Sequence, residues 1–218
     1  MRPVPIFAGE NLRVLCEVVA APGHASVAVG FGLTLAAQAI APASHGAMLL
    51  WVREAAAVAE TGDVYGPGLV ALGLSPDRLI VAQVRTHVDA LRAALEGVRC
   101  TALSAVVLET SRAIDLTASR RLKLASEKSG VAVVLIRFRN EAVPNAAQVR
   151  WRVEAAPQSQ LASPDTRSLT AFKIEVLKHP TGLTGKTCIM EWDHERSGFA
   201  EALSMPVAAV SDAGPLAA

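Results

Sequence analysis

The first residues that could do chemistry lie where an apolar run, LCEVVA (15–20), gives way to APGHASVAVGFGLTLA (21–36). A strand, a glycine-bearing turn and a helix in that order are the setting of a phosphate-binding loop, G-x-x-x-x-G-K-[S/T]. There, backbone N–H groups curl around the phosphates, the Lys neutralises them and the hydroxyl binds Mg²⁺. Gly23 keeps the turn, with His24 and Ser26 after it, but Val27 stands near the second glycine position. No Lys or Arg occurs between Arg13 and Arg53, so the phosphates would lack a counter-charge. Two carboxylates belong to the same neighbourhood. Glu54 closes LLWVRE just past a buried strand, where open α/β sheets gather ligand-binding groups, and there it could activate a water. Glu109 ends AVVLE, where an acid would hold Mg²⁺ through water. Each has a plainer reading: Glu54 as a solvated loop residue, Glu109 as an internal hydrogen-bonding group. The pattern is that of a degenerate nucleotide site and points toward binding macromolecules rather than hydrolysing ATP.

Other chemistries find less support. Ser111, Arg112 and Asp115 follow at the same sheet edge, but no G-x-S-x-G elbow is present and the five His are scattered, which argues against a hydrolase. Cys16, Cys100 and Cys188 are far apart and form no C-x-x-C or Cys/His cluster. They read as buried thiols of a cytoplasmic protein, with neither disulfide framework nor metal site. The most distinctive charge feature is basic: Arg112, Arg120, Arg121, Lys123 and Lys128, then Arg137, Arg139, Arg150 and Arg152. Two readings stand. One is a surface for nucleic acid or an acidic partner; the other is a solvated face balanced by Glu127, Glu141 and Glu154. Stacking aromatics, which single-strand binders usually need, are nearly absent apart from Trp151. A net charge of +1 argues against coating nucleic acid through bulk charge.

The elements that must position these residues follow from periodicity. Short apolar runs alternate with helical patterns, the signature of βα units around a mainly parallel sheet. Strands are predicted at 15–20, 47–52, 78–84, 104–109 and 130–136, and helices at 26–40, near 69–72 and at 87–98. A basic helix in TASRRLKLASEKS has Thr117 as its expected N-cap. Continuous apolar runs such as SAVVLE suit strands buried on both faces. After Arg139 the pattern changes: VRWRVEA (149–155), FKIEVLK (172–178) and TCIMEWD (187–193) alternate apolar and charged residues and read as antiparallel strands with one wet face. PQSQLASPDTRS (157–168) reads as a flexible loop and the Ala/Pro/Gly-rich tail from Met205 as disordered. The start, MRPVPIFAGE, is not patterned as a signal peptide, and the apolar stretch 25–43 reads as a buried helix rather than a membrane span. A chain of 218 residues suits a single α/β domain over 1–200, with a core at 12–155, added strands at 168–195 and a tail at 201–218.

Several blocks are more specific than this. LLWVRE, DVYGPGLVALGLSPDRLIVAQ, IDLTASRRLKLA, VRWRVE and IEVLK…MEWDHE resemble the ImuA family, RecA-like accessory proteins of bacterial SOS mutagenesis cassettes, over roughly residues 12–200. The resemblance implies an α/β fold with a RecA-like, mainly parallel sheet flanked by helices and extended by antiparallel C-terminal strands. It places the turn at 21–26 at RecA's phosphate loop, Glu54 at the catalytic glutamate, Glu109 at the Walker B aspartate and Arg137 near the γ-phosphate sensor. The departures at these positions put ATP hydrolysis in doubt. The function implied is that of a non-catalytic, cytoplasmic partner in translesion synthesis, with no cofactor of its own. Its implied partners are ImuB, an inactive Y-family polymerase relative, an error-prone C-family polymerase, and RecA. DNA contact through the local basic face and homo-oligomer formation stay open. The C-terminal strands are expected to dock partners, with Phe172, Ile174 and Val176 offering an apolar face. The alternatives are a SulA-like cell-division inhibitor and a cryptic ATPase using Glu54 and Glu109.

Overall fold

The computed structural model describes residues 15–40, 48–138, 143–156, 170–193 and 198–201. Nine strands form one sheet: β1 (Leu15–Ala20), β2 (Met48–Glu54), β3 (Leu79–Val84), β4 (Leu103–Thr110), β5 (Ala132–Arg137), β6 (Val149–Ala155), β7 (Thr170–Lys178), β8 (Thr187–Asp193) and β9 (Gly198–Glu201). Their spatial order is β3-β2-β4-β5-β1-β6-β7-β8-β9. The strands from β3 through β6 pair in parallel, and β7, β8 and β9 add on antiparallel. The expected mainly parallel sheet with antiparallel C-terminal strands is therefore present. One expectation is corrected: β6, read as antiparallel, runs parallel to β1 and antiparallel only to β7, so it is where the sheet changes direction. Alternation along β6 misled because a strand at such a junction can still have one half-covered face.

Five helices cover the sheet: α1 (Ala25–Ile40), α2 (Ala55–Thr61), α3 (Gly66–Ala71), α4 (His87–Arg99) and α5 (Leu116–Ser129). α1 is apolar on nearly every side and is buried against the sheet, as a helix of that composition must be. Phe31 on α1 meets Trp151, Phe172 and Phe199 at ring-centroid distances of 5.8, 5.3 and 5.2 Å. Close approach demands glycine at two points: a Cβ on Gly32 would lie 2.6 Å from Cδ1 of Ile136 on β5, and a Cβ on Gly97 of α4 would run into Cδ2 of Leu50 on β2. α4 and α5 cover the opposite face, around Val106, Leu108, Leu122, Val133 and Leu135.

Side chains expected outside turn out to be inside. Phe172, Ile174 and Val176 are fully buried beneath α1, so they complete the core and offer no apolar docking face. Trp151 is likewise buried and cannot serve as a stacking platform. The N-cap of α5 is Asp115, whose Oδ1 accepts from the N–H of Ala118 at 2.7 Å, and not Thr117. α2 and β9 were not foreseen from sequence. Of the cysteines only Cys16 is fully buried, which pushes its thiol up to about 12; Cys100 is exposed and Cys188 half-buried, contrary to expectation. The loop at 157–168 and the tail from Met205 lie outside the described residues, as does Arg139.

Candidate functional site

The C-terminal ends of the parallel strands bring together the turn at 21–24, Arg53, Glu54, Glu109 and Thr110. Successive strand residues face opposite sides, so Arg53 and Glu109 point toward α1 while Glu54 and Thr110 point toward α4. The turn that would cradle phosphate comes first. β1 ends at Ala20 and α1 begins at Ala25, leaving four linking residues, and no Lys stands in the first turns of α1 where the phosphate motif carries one. Gly23 takes φ +78°, the left-handed conformation that lets the chain reverse there. The N–H of His24 donates to the Ala21 carbonyl at 2.9 Å and that of Ala21 to Val153 at 2.9 Å, while Pro22 has no N–H to offer. Nδ1 of His24 accepts from the N–H of Ala155 at 3.2 Å, tying the turn to the end of β6. Ser26 sits exposed in the first turn of α1.

Glu109 is fully buried and pairs with Arg53, its register partner on β2. Nε of Arg53 donates to Oε2 at 2.7 Å and Nη2 to Oε1 at 3.2 Å. The Thr61 hydroxyl donates to Oε1 at 2.5 Å and accepts from Nη2 of Arg53 at 2.9 Å. Nη2 also donates to the Gly62 carbonyl at 2.8 Å, and the guanidinium lies over the Trp51 ring, 4.4 Å from its centroid. Both carboxylate oxygens are thus engaged by the protein's own cation and hydroxyl. The position that would face a divalent metal is filled by a guanidinium.

Glu54 is the last residue of β2 and is only 5% exposed, so it is no solvated loop residue. Its Oε2 accepts from the Thr110 hydroxyl at 2.6 Å and the Ser111 N–H at 3.3 Å. Nδ1 of His87 lies 3.0 Å from the Thr110 oxygen and 3.6 Å from Glu54. With the Thr110 proton committed to Glu54, His87 bonds there through an Nδ1–H. Ser111, Arg112 and Asp115 line an open, largely polar cleft of about 760 Å³ beside His87.

A third cluster was missed by sequence reasoning. Glu17, fully buried in β1, forms ion pairs with Arg137 (2.6 Å) and Arg150, and accepts from Nδ2 of Asn145 at 2.8 Å. The acid inside LCEVVA was the available signal, because a buried carboxylate needs a cation. Two members of the expected basic surface are corrected by this. Arg137 is 2% exposed and points into the sheet's own ion pair, and Arg150 is mostly covered for the same reason. Arg152 is half-buried and paired with Glu175 at 2.6 Å, beside a Lys173–Glu154 pair at 2.5 Å. The cations that do reach solvent lie elsewhere: Arg112, Arg120 and Arg121 are exposed, and Lys123 is half-buried with Glu127 at 3.5 Å.

Magnesium-bound nucleoside triphosphate does not fit these residues. Neither the turn nor the first turns of α1 carry a Lys or Arg, and Glu109 is fully buried with both oxygens bonded to Arg53 and Thr61 rather than turned toward a hydrated metal. Among the described residues, no three His, Cys, Asp or Glu side chains cluster as metal ligands, and no helix is long and apolar enough to cross a membrane.

No family model matches the chain. It is 37% identical to Protein ImuA of Caulobacter vibrioides over 110 residues in each of two strains, NA1000 / CB15N and ATCC 19089 / CIP 103742 / CB 15. Each match covers 46% of this chain and 45% of the relative, so the chain is matched to somewhat under half the length of these curated relatives. Over that stretch the chain is ImuA-like, as its sequence blocks implied. A crystal structure of the RadB recombinase superposes with a TM-score of 0.55 at 16% identity, covering 86% of this chain and 90% of that one. This likeness establishes the RecA-like fold.

Proposed function

We propose that this chain is a RecA-like adaptor of translesion synthesis whose nucleotide site has become an internal ion pair. In this reading it is cytoplasmic, works without a cofactor or catalysis of its own, and acts with an ImuB-type protein, an error-prone C-family polymerase and RecA. The observation that carries it is the Arg53–Glu109–Thr61 network: the carboxylate that would serve a metal is closed by the chain's own guanidinium. The turn at 21–24 supports the same reading, since neither it nor the first turns of α1 offer phosphate a Lys or Arg. Similarity to Protein ImuA supports the choice of partners. Glu54 is held by Thr110 and Ser111, and in this reading it ties the sheet's end to α4 rather than activating water.

Two measurements test the proposal together. Titration calorimetry with ATP and Mg²⁺ is expected to show no heat, and purified chain is expected to capture an ImuB-type protein. A micromolar dissociation constant for ATP, abolished by Glu109→Ala, would overturn the proposal.

A further inference from the structure

α4 and α5 lie side by side on one face of the sheet, and the seam between them is not filled. Two hollows of about 710 and 260 Å³ run along it, and Leu95 and Arg121 border both. On α4, Val88, Leu91 and Leu95 are spaced three and four residues apart, so they form one stripe along the helix. Val88 is 53% exposed, and across the seam Leu124 of α5 is 65% exposed. Two of the largest apolar exposures in the described chain therefore face one groove. α4, with 13 residues, gives the groove a length of about 20 Å at 1.5 Å per residue.

Charge sets this groove apart from a generic apolar seam. α5 carries Arg120, Arg121, Lys123 and Lys128 against one acid, Glu127. Glu127 is taken by Lys123 at 3.5 Å. Arg120, Arg121 and Lys128 make no ion pair among the described residues. On α4, by contrast, Arg92 and Arg99 are matched by Asp89 and Glu96. The rim on the α5 side therefore holds two uncompensated cations, Arg121 and Lys128, beside an apolar stripe.

We propose that the α4–α5 groove docks an amphipathic helix of a partner protein, bearing aliphatic anchors on one face and acidic residues beside them. A third helix lies into such a seam by ridge-into-groove packing, with anchors at i, i+3 or i+4 and i+7 entering between Val88, Leu91, Leu95 and Leu124. Acidic residues on the helix then meet Arg121 and Lys128, which fixes its orientation and speeds encounter. Nucleic acid is the poorer occupant: the centre of the groove is aliphatic, and no aromatic side chain lines it for base stacking. The inference deepens the adaptor reading and rests on it for the partner's role, though not for the groove's chemistry.

The test uses the full chain and a displayed library of helical peptides, about 16 residues long to match the groove. Leu124→Glu and Arg121→Glu serve as comparison proteins; both sites are exposed, so each variant should melt like the parent. Enriched peptides are expected to be acidic with aliphatic residues at helical spacing. Each variant should weaken them by roughly tenfold or more, and added salt should weaken them further. No enrichment, enrichment of basic or extended proline-rich peptides, or binding untouched by both substitutions would overturn the proposal. So would a single-stranded oligonucleotide that outcompetes the peptides. ATP calorimetry on the same preparation separates the two readings. Heat with ATP removes the adaptor reading and leaves the groove result standing, whereas a silent groove without ATP heat removes only this proposal.

Discussion

Replacing Arg53 by Met tests whether the ion pair at the strand ends is structural. Arg53 is 3% exposed and Glu109 fully buried, so the variant leaves a carboxylate in the core with only the Thr61 hydroxyl to satisfy it. Breaking a buried pair in this way costs about 3–5 kcal/mol. The upper end applies here, because the Gly62 carbonyl and the Trp51 ring lose their contacts as well. At about 5 kcal/mol the loss approaches the whole stability of a marginal domain, and the melting temperature should fall by roughly 10–20 °C. The double variant Arg53→Met, Glu109→Leu removes both charges and should return to within about 1 kcal/mol of the parent, as apolar replacements of buried pairs often do. Urea melts followed by circular dichroism on the four proteins give the coupling energy. If Arg53→Met costs under about 1 kcal/mol, or the two changes simply add, then the pair is not the internal lock described above.

Further expectations follow from other parts of the core. Gly32→Ala should destabilise by about 1–2 kcal/mol despite better helix propensity, and adding Ile136→Val, which removes Cδ1 at 2.6 Å from the new Cβ but keeps Cγ1 at 2.9 Å, should recover only part of it in the same melts. In thiol titration of the folded protein at pH 8, Cys100 should react readily while Cys16 stays protected until unfolding. Because burial raises Cys16 from 9.0 to about 12, the unfolded chain ionises first, so stability should decline as pH climbs from 9.0 toward 12; a flat pH dependence there, in melts of a Cys100→Ser, Cys188→Ser background, would refute it. A chain ending at Ala156 loses the Phe172 and Phe199 rings that pack on Phe31 and should show no cooperative melt.

The sheet was legible because its central strands are long apolar runs: 15–20, 104–109 and 130–136 each lie within two residues of the observed strands. Helix α4 was equally plain from Val88, Leu91, Leu95 and Val98. What failed was local or cooperative. α2 is only seven residues of AAAVAET with no capping side chain, too short to leave a periodic trace. β9 spans four residues, and its place is set by pairing to β8 rather than by its own pattern. The direction of β6 depends on which neighbour it joins, and that information lies in β1.

At the site the difficulty was of another kind, and it separates the two sorts of arginine in this chain. Residue type showed that Glu54 and Glu109 mattered; it did not show what they bond. Glu17, Glu54 and Glu109 are all buried in strands of the parallel sheet, and a buried carboxylate needs donors or a cation. Hydroxyl and backbone donors suffice for Glu54, at the open edge beside His87. Glu109 and Glu17, fully enclosed, take arginines from neighbouring strands: Arg53 for one, Arg137 and Arg150 for the other. Each of these cations follows from a carboxylate one strand away. The arginines of α5 have no such debt, since no unpaired acid faces Arg120 or Arg121 from the described residues. Counting charge therefore overstated the basic surface near the strand ends and understated its concentration on one helix. A cation that no internal acid requires is the one left free for a partner, and in this fold Arg121 and Lys128 are two such cations at the α4–α5 groove.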